Sequence, residues 1–186
     1  MKGIGPAPVR LVYHAPTSHP LFYGNVMKFE HLIEINDPLN PLIDTLTHDQ
    51  LWAGLVLLSE SPKLFVPHLD DCQVDERSAN GFRRRRRFGE LVVEDRVTLT
   101  PQREVRYDVA AQGEITASSL VMTIETPGAD ALWVRFQYDD GRDAAADAAN
   151  AMYDDFRRSA YQESDIDAVR VLRQLAEQGR LNATLN

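Results

Sequence analysis

The chain has one cysteine, Cys72, in 186 residues. No intramolecular disulfide and no multi-cysteine zinc site can form, and a reducing, cytoplasmic setting fits best. No continuous apolar run approaches the roughly 18 residues that cross a bilayer. The longest lies within residues 51–58 and has the length of a core helix. No membrane span is expected. His-x-x-x-His, GxSxG, Walker A and GxGxxG patterns are missing, which leaves metal, hydrolase, nucleoside-triphosphate and dinucleotide chemistry without local support. The expectation is therefore no cofactor and no metal. Excess positive charge is missing too. With a formal charge of −8 and a pI near 5.1, the summed field repels a polyanion, and nucleic acid is not an expected partner.

What is present is an ordinary globular composition, 44% hydrophobic and 26% charged, long enough for one domain with its own core. Residues 1–26 carry Pro6, Pro8, Pro16 and Pro20 with Gly3, Gly5 and Gly24. They read as an irregular extension with one short extended piece at 9–13, and they lack the apolar segment of a signal peptide. Regular patterning begins at Met27. The reading is a domain over 27–182 and a short tail over 183–186, as a monomer or homodimer.

Phe29, His31, Ile33 and Ile35 alternate with polar residues and predict a half-buried strand over 28–36. Thr47 and Gln50 form a capping-box pattern ahead of Leu51, Trp52, Leu55, Val56 and Leu58, which predicts a helix to about residue 60. Ser61-Pro62 starts a short second turn. Extended segments follow over 69–77, 82–88, 91–99, 105–109 and 118–125, separated by Asn80-Gly81, Gly89, Pro101 and Gly113. Another covers 132–138 and ends at Asp139-Asp140-Gly141. Residues 142–178 contain no proline or glycine. They place Met152, Phe156, Ile166, Val169, Leu172 and Leu175 at near-helical spacing, with a phase slip at 161–165 that predicts a kink. The order β-α-α-β(6)-α favours α+β over a parallel α/β sheet. The long helix must bury its stripe on the concave face of a curved antiparallel sheet of about seven strands.

The segments MKFEHLIEIND, TLTHDQLWAGLVLLSESPKLFVPHL, FGELVVEDRVTLTPQREVRYDV and YQESDIDAVRVLRQL carry a resemblance over residues 27–182 to the SRPBCC (START, Bet v I-like) superfamily, and within it to the AtaL-like branch. The resemblance implies the helix-grip fold and a hydrophobic cavity between sheet and C-terminal helix. It leaves open whether a reaction occurs there. The expected function is binding of a small lipid-, polyketide- or aromatic-like molecule. The alternatives are a polyketide cyclase or aromatase-type enzyme, in which His31, Tyr107 or an inward arginine polarises a carbonyl, and a non-catalytic interaction domain with a filled core.

Pocket candidates follow from strand alternation. In the run from Arg83 to Arg87, Phe82, Arg84, Arg86 and Phe88 share one face and Arg83, Arg85 and Arg87 the other. Arg84 and Arg86 then point inward with the phenylalanines and need a carboxylate, from the fold or from a ligand. The outward set can pair with acids such as Glu90, Glu94 and Asp95. His31 and Ile33 lie on the apolar face of the first strand. A histidine there is either a pocket base or a core residue satisfied by a backbone carbonyl. Tyr107, Met122, Phe136, Tyr138, Met152, Tyr153 and Phe156 complete the wall candidates. Cys72, among Asp70, Asp71 and Asp75, is not a nucleophile on this reading. His48 and His68 are expected in solvent.

Overall fold

A computed structural model describes residues 26–40, 42–143 and 151–182. Of the extension expected over 1–26, residues 1–25, with the extended piece expected at 9–13, lie outside the described residues, as does the tail over 183–186; Val26 instead opens the first strand. The elements are β1 (Val26–Asn36), α1 (His48–Glu60), a 3-10 turn (Pro62–Leu64), β2 (Asp71–Ser78), β3 (Gly81–Phe88), β4 (Leu91–Thr100), β5 (Glu104–Val109), β6 (Ser118–Glu125), β7 (Leu132–Asp143) and α2 (Ala151–Glu177). All strand pairs are antiparallel, in the order β1-β7-β6-β5-β4-β3-β2. Strands β2 to β7 form a meander, and the last of them returns beside β1. The result is the helix-grip architecture, a curved seven-stranded sheet with α1 and α2 on one face.

Local chemistry explains the helix ends. Thr47 Oγ1 accepts from the Gln50 backbone N–H at 3.1 Å while Gln50 Oε1 accepts from the Thr47 N–H at 2.9 Å, the reciprocal box that the pattern predicts. At the far end of α2, Gly179 N–H donates to Ala176 O and Arg180 N–H to Leu175 O, the paired bonds of a Schellman stop. Helix α2 is fastened to the sheet side by Arg173, which donates to Ile35 O in β1 and to Asp44 O at 2.9 Å. The buried Asn36 side chain exchanges two hydrogen bonds with the Leu46 backbone and fixes the path into α1.

The core lies between the inner sheet face and the helices. It joins Ile33, Ile35, Phe82, Val97, Val105, Met122, Val134 and Phe136 of the strands to Leu51, Trp52 and Leu55 of α1 and Val169, Leu172 and Leu175 of α2. In the middle of β4, in β5 and at Leu132, Val134 and Phe136 of β7, every second residue is buried in this layer, as the alternation read from the sequence implies, whereas β2 buries none and β1 also buries Leu32.

The end of β7 and the face of the last helix differ most from the sequence reading. Strand β7 does not stop at Asp139-Asp140-Gly141 but runs to Asp143. The turn residues form a bulge: Gly141 has φ +65°, its N–H donates to Asp139 Oδ1, and the β1 register shifts between Val26 and Lys28 opposite it. A Cβ at 141 would collide with Ala117 O. Residues 142–143, expected to open the last helix, are therefore strand, and 144–150 lie outside the described residues. Helix α2 is one uninterrupted helix through 161–165. The phase slip instead separates two environments. Asp165, Ala168, Val169, Leu172 and Leu175 form the buried stripe. Phe156, nine residues before Asp165, lies about half a turn away and is 79% exposed. Phe156 is thus removed from the pocket candidates.

Candidate functional site

Two polar clusters interrupt the apolar inner face. The first is built across β3, β4, β5 and α1. Arg84 stands opposite Asp95 in the β3–β4 register, so its fork meets the carboxylate squarely. Nε donates to Oδ1 and Nη2 to Oδ2, both at 2.8 Å, and Nη1 donates to Ser59 O at 2.8 Å. The guanidinium carbon lies 4.0 Å from the Tyr107 ring centroid. Tyr107 and Ser59 share a hydroxyl contact at 2.8 Å, and Ser59 Oγ donates to Leu55 O. Burial alone would lower the Arg84 pKa, but the Tyr107 and Asp95 oxygens outweigh it and hold that pKa above its ordinary value.

Arg86 faces the same way one pleat along, and its Nη2 lies 2.7 Å from Asp95 Oδ2. Its side chain is 22% exposed, against 1% for Arg84 and 0% for Asp95. Its Nε is buried with no hydrogen-bond partner among the described residues. Burial, and after it repulsion from Arg84, lower the Arg86 pKa while Asp95 opposes them. Cys72 is register-paired with Arg86. Burial pushes its thiol pKa up, and the nearby Arg84 and Arg86 only partly offset this, so it is a thiol and not a nucleophile.

The second cluster joins β1, β7 and α2. His31 Nε2 lies 3.0 Å from Asp165 Oδ2, and the Tyr138 hydroxyl donates to the same oxygen at 2.7 Å. The histidine approach is close but poorly aligned, and neither ring nitrogen has a well-directed hydrogen bond among the described residues. Aromatic rings fix the imidazole: Phe136 stacks on it at 5.2 Å and 6°, with Phe29 at 5.2 Å on a tilt. Tyr161 of α2 stacks on Tyr138 at 4.5 Å. Desolvation raises the Asp165 pKa although the adjacent His31 and Tyr138 pull it down, and desolvation with the adjacent Asp165 raises the Tyr138 pKa well above the usual phenol value.

The sequence candidates therefore divide. His31, Phe136 and Tyr138 meet in one cluster, and Arg84, Arg86 and Tyr107 in the other. Ile33, Phe82 and Met122 are sealed in the core with 0–2% exposure. The side chains of Met152 and Tyr153 lie outside the described residues. The partner of His31 is a carboxylate, not the backbone carbonyl that the core-histidine alternative supposes. On the outer face the arginines do find acids, with Arg83 on Glu76 and Glu94, Arg85 on Glu94 and Arg87 on Asp70. Asp95 belongs inside. His68 is exposed as expected, whereas His48 is half-buried beside Gln102.

Asp95, Ser59 and Asp165 were not anticipated as site residues. Asp95 alternates with Val93 and Val97, which places it on the inner face. Asp165 stands four residues before Val169, in line with the buried stripe. These two signals were available.

Comparison with known proteins adds the following. The sequence pattern of the family AtaL, described as acetylaranotin biosynthesis cluster protein L, matches residues 33–179. No curated protein sequence matches. Among solved structures, the aromatase/cyclase Zhui from Streptomyces sp. R1128 is similar at TM-score 0.57 and 18% identity, covering 83% of this chain and 95% of that one. The two-domain aromatase/cyclase StfQ of the steffimycin pathway has TM-score 0.57 and 14% identity over 82% of this chain, which spans about half (52%) of StfQ. Human STARD10 has TM-score 0.53 and 9% identity, covering 83% of this chain and 66% of that one. At these identities the likeness is one of fold. No helix among the described residues is long and apolar enough to cross a membrane.

Proposed function

The chain belongs to the AtaL family, and on that footing we propose that it binds a small hydrophobic molecule between the inner sheet face and α2. The observation that carries this reading is a set of buried, inward-facing polar atoms in an otherwise apolar layer: His31 Nδ1 and Arg86 Nε have no hydrogen-bond partner among the described residues, and His31 Nε2 has only its misaligned approach to Asp165. The large majority of buried side-chain polar atoms in a finished core have a hydrogen-bond partner. Two such residues on one inner face fit a layer that a ligand completes, since apolar walls with a few placed polar groups are the usual build of a small-molecule site.

A second reading, an enzyme of the cyclase or aromatase type, is favoured by the His31–Asp165–Tyr138 cluster. A carrier needs no acid–base group. A histidine 3.0 Å from a buried carboxylate has the form of a general base held beside its charge partner. His31 would take a proton from a carbon flanked by carbonyls, with Asp165 stabilising the imidazolium. Both readings fit a cytosolic setting, as the lone Cys72 suggests.

One experiment tests both. Native mass spectrometry of freshly purified protein, followed by organic extraction, is expected to yield a defined apolar adduct. A clean apo mass, with no thermal shift against lipids or polyketides, would defeat the binding proposal in favour of a filled core. The same extraction from a His31→Gln variant separates the two readings. A chemically different adduct supports catalysis, and an identical one leaves only binding.

A further inference from the structure

The first cluster carries an unbalanced charge. Arg84 and Arg86 are both guanidinium ions at any physiological pH, and both pair with one carboxylate, Asp95. Arg84 alone already engages both Asp95 oxygens in a fork and spends its remaining Nη1 on Ser59 O. Among the described residues Arg86 has only a shared contact with Oδ2, and its Nε has no partner. The other groups beside it are a thiol and hydroxyls, Cys72, Tyr107 and Ser59, and no second carboxylate stands among them. The cluster thus holds two positive charges against one negative, on a face where an unpaired charge is costly.

A fold needing only a structural ion pair would end at Arg84–Asp95. The second arginine adds repulsion and leaves a donor unmet. Its accessibility differs as well: Arg84 is sealed at 1% while Arg86 keeps 22% of its side chain open, so Arg86 is the cation that a bound molecule can reach. We infer that the hydrophobic ligand is an amphipathic acid whose carboxylate is taken by Arg86, with Arg84–Asp95 as the rigid support that holds Arg86 in place. The inference rests on the binding proposal above and names the ligand class. An incoming carboxylate brings the cluster to two charges of each sign and gives Nε its acceptor, and the geometry suits a charge-assisted bond. Arg86 positions the ligand and takes no part in bond making.

The test uses the full chain and a neutral fluorescent probe, 1-aminoanthracene, displaced in turn by matched competitors: laurate against methyl laurate, and 2-naphthoate against methyl 2-naphthoate. Each acid is expected to displace the probe at least about tenfold more strongly than its ester. Arg86→Gln should reduce that ratio to near one without weakening the esters, and Arg86→Lys should keep part of it because the charge remains. Asp95 stays forked to Arg84 in either variant, so folding should survive, and the wild-type acid-to-ester ratio is informative without any variant. If the probe binds and acid and ester compete equally, the carboxylate assignment is wrong while the binding proposal stands. If neither probe nor competitors bind, both fall together.

Discussion

At the residue scale the two inward arginines make opposite demands on the fold. Arg84 is buried, forked to Asp95 and bonded to a backbone carbonyl of α1, so its removal strips Ser59 O of its donor and leaves Asp95 with a single off-register partner. Breaking such a pair from one side costs about 3–5 kcal/mol, and Arg84→Met should lose that much in urea denaturation. Arg86→Met relieves like-charge repulsion and leaves the fork intact, so it should change stability by less than about 1 kcal/mol. Comparable losses in both variants would show that the inner pair is not the clamp described. The alternation Phe82, Arg84, Arg86 made both inward arginines legible from the sequence alone. What it could not supply was the division of labour between them. That depends on Arg84 facing Asp95 across the strands while Arg86 faces Val93, a one-pleat offset that no single strand encodes.

At the element scale the seat of α2 is set by chemistry as well as by apolar packing. The order of elements along the chain, the capping box, the short second turn and the long terminal helix were readable because each rests on local rules of alternation, capping and spacing. The face that α2 presents was half readable. Val169, Leu172 and Leu175 lie on the buried stripe as their spacing implies, but Phe156 suggested burial by its hydrophobicity, whereas the stripe's own phase puts it outside. The buried acid on that stripe, Asp165, ties α2 to β1 through His31 and to β7 through Tyr138. Because desolvation and the facing Asp165 raise the Tyr138 pKa above the ordinary value of about 10, the folded protein holds this phenolic proton more tightly than the unfolded chain does. The stabilisation is complete below about pH 10 and is lost as pH rises through the higher folded value. The groups packed around the phenol are Asp165 and Tyr161 from α2 and His31 and Phe29 from β1. Tyr138→Phe should therefore be somewhat less stable at neutral pH, by about 1 kcal/mol for one hydrogen bond. It should also lose stability less steeply than wild type above pH 10, which parallel urea melts at neutral and alkaline pH would establish. Parallel alkaline losses in the two proteins would mean that Tyr138 ionises as freely folded as unfolded.

At the scale of the whole molecule, an acidic protein that takes an acid has to overcome its own field. The chain carries a formal charge of −8. The arginines on the outer face of β3 add little attraction, because Glu76, Glu94 and Asp70 already stand beside them. An approaching carboxylate therefore meets net repulsion until it is within a few ångströms of Arg86, where the local excess of positive charge takes over. Salt acts differently on the two regimes. The Debye length falls from about 30 Å at 0.01 M to about 10 Å at 0.1 M, which screens the long approach, whereas a partly buried contact is screened much less. The association rate of laurate should then rise severalfold between those two salt concentrations while that of methyl laurate stays flat, as stopped-flow displacement of 1-aminoanthracene would record. The dissociation rate of laurate should change little. A laurate association rate that falls with salt would instead mean that a positive mouth steers the ligand in, and that the outer arginines are not neutralised by the acids beside them.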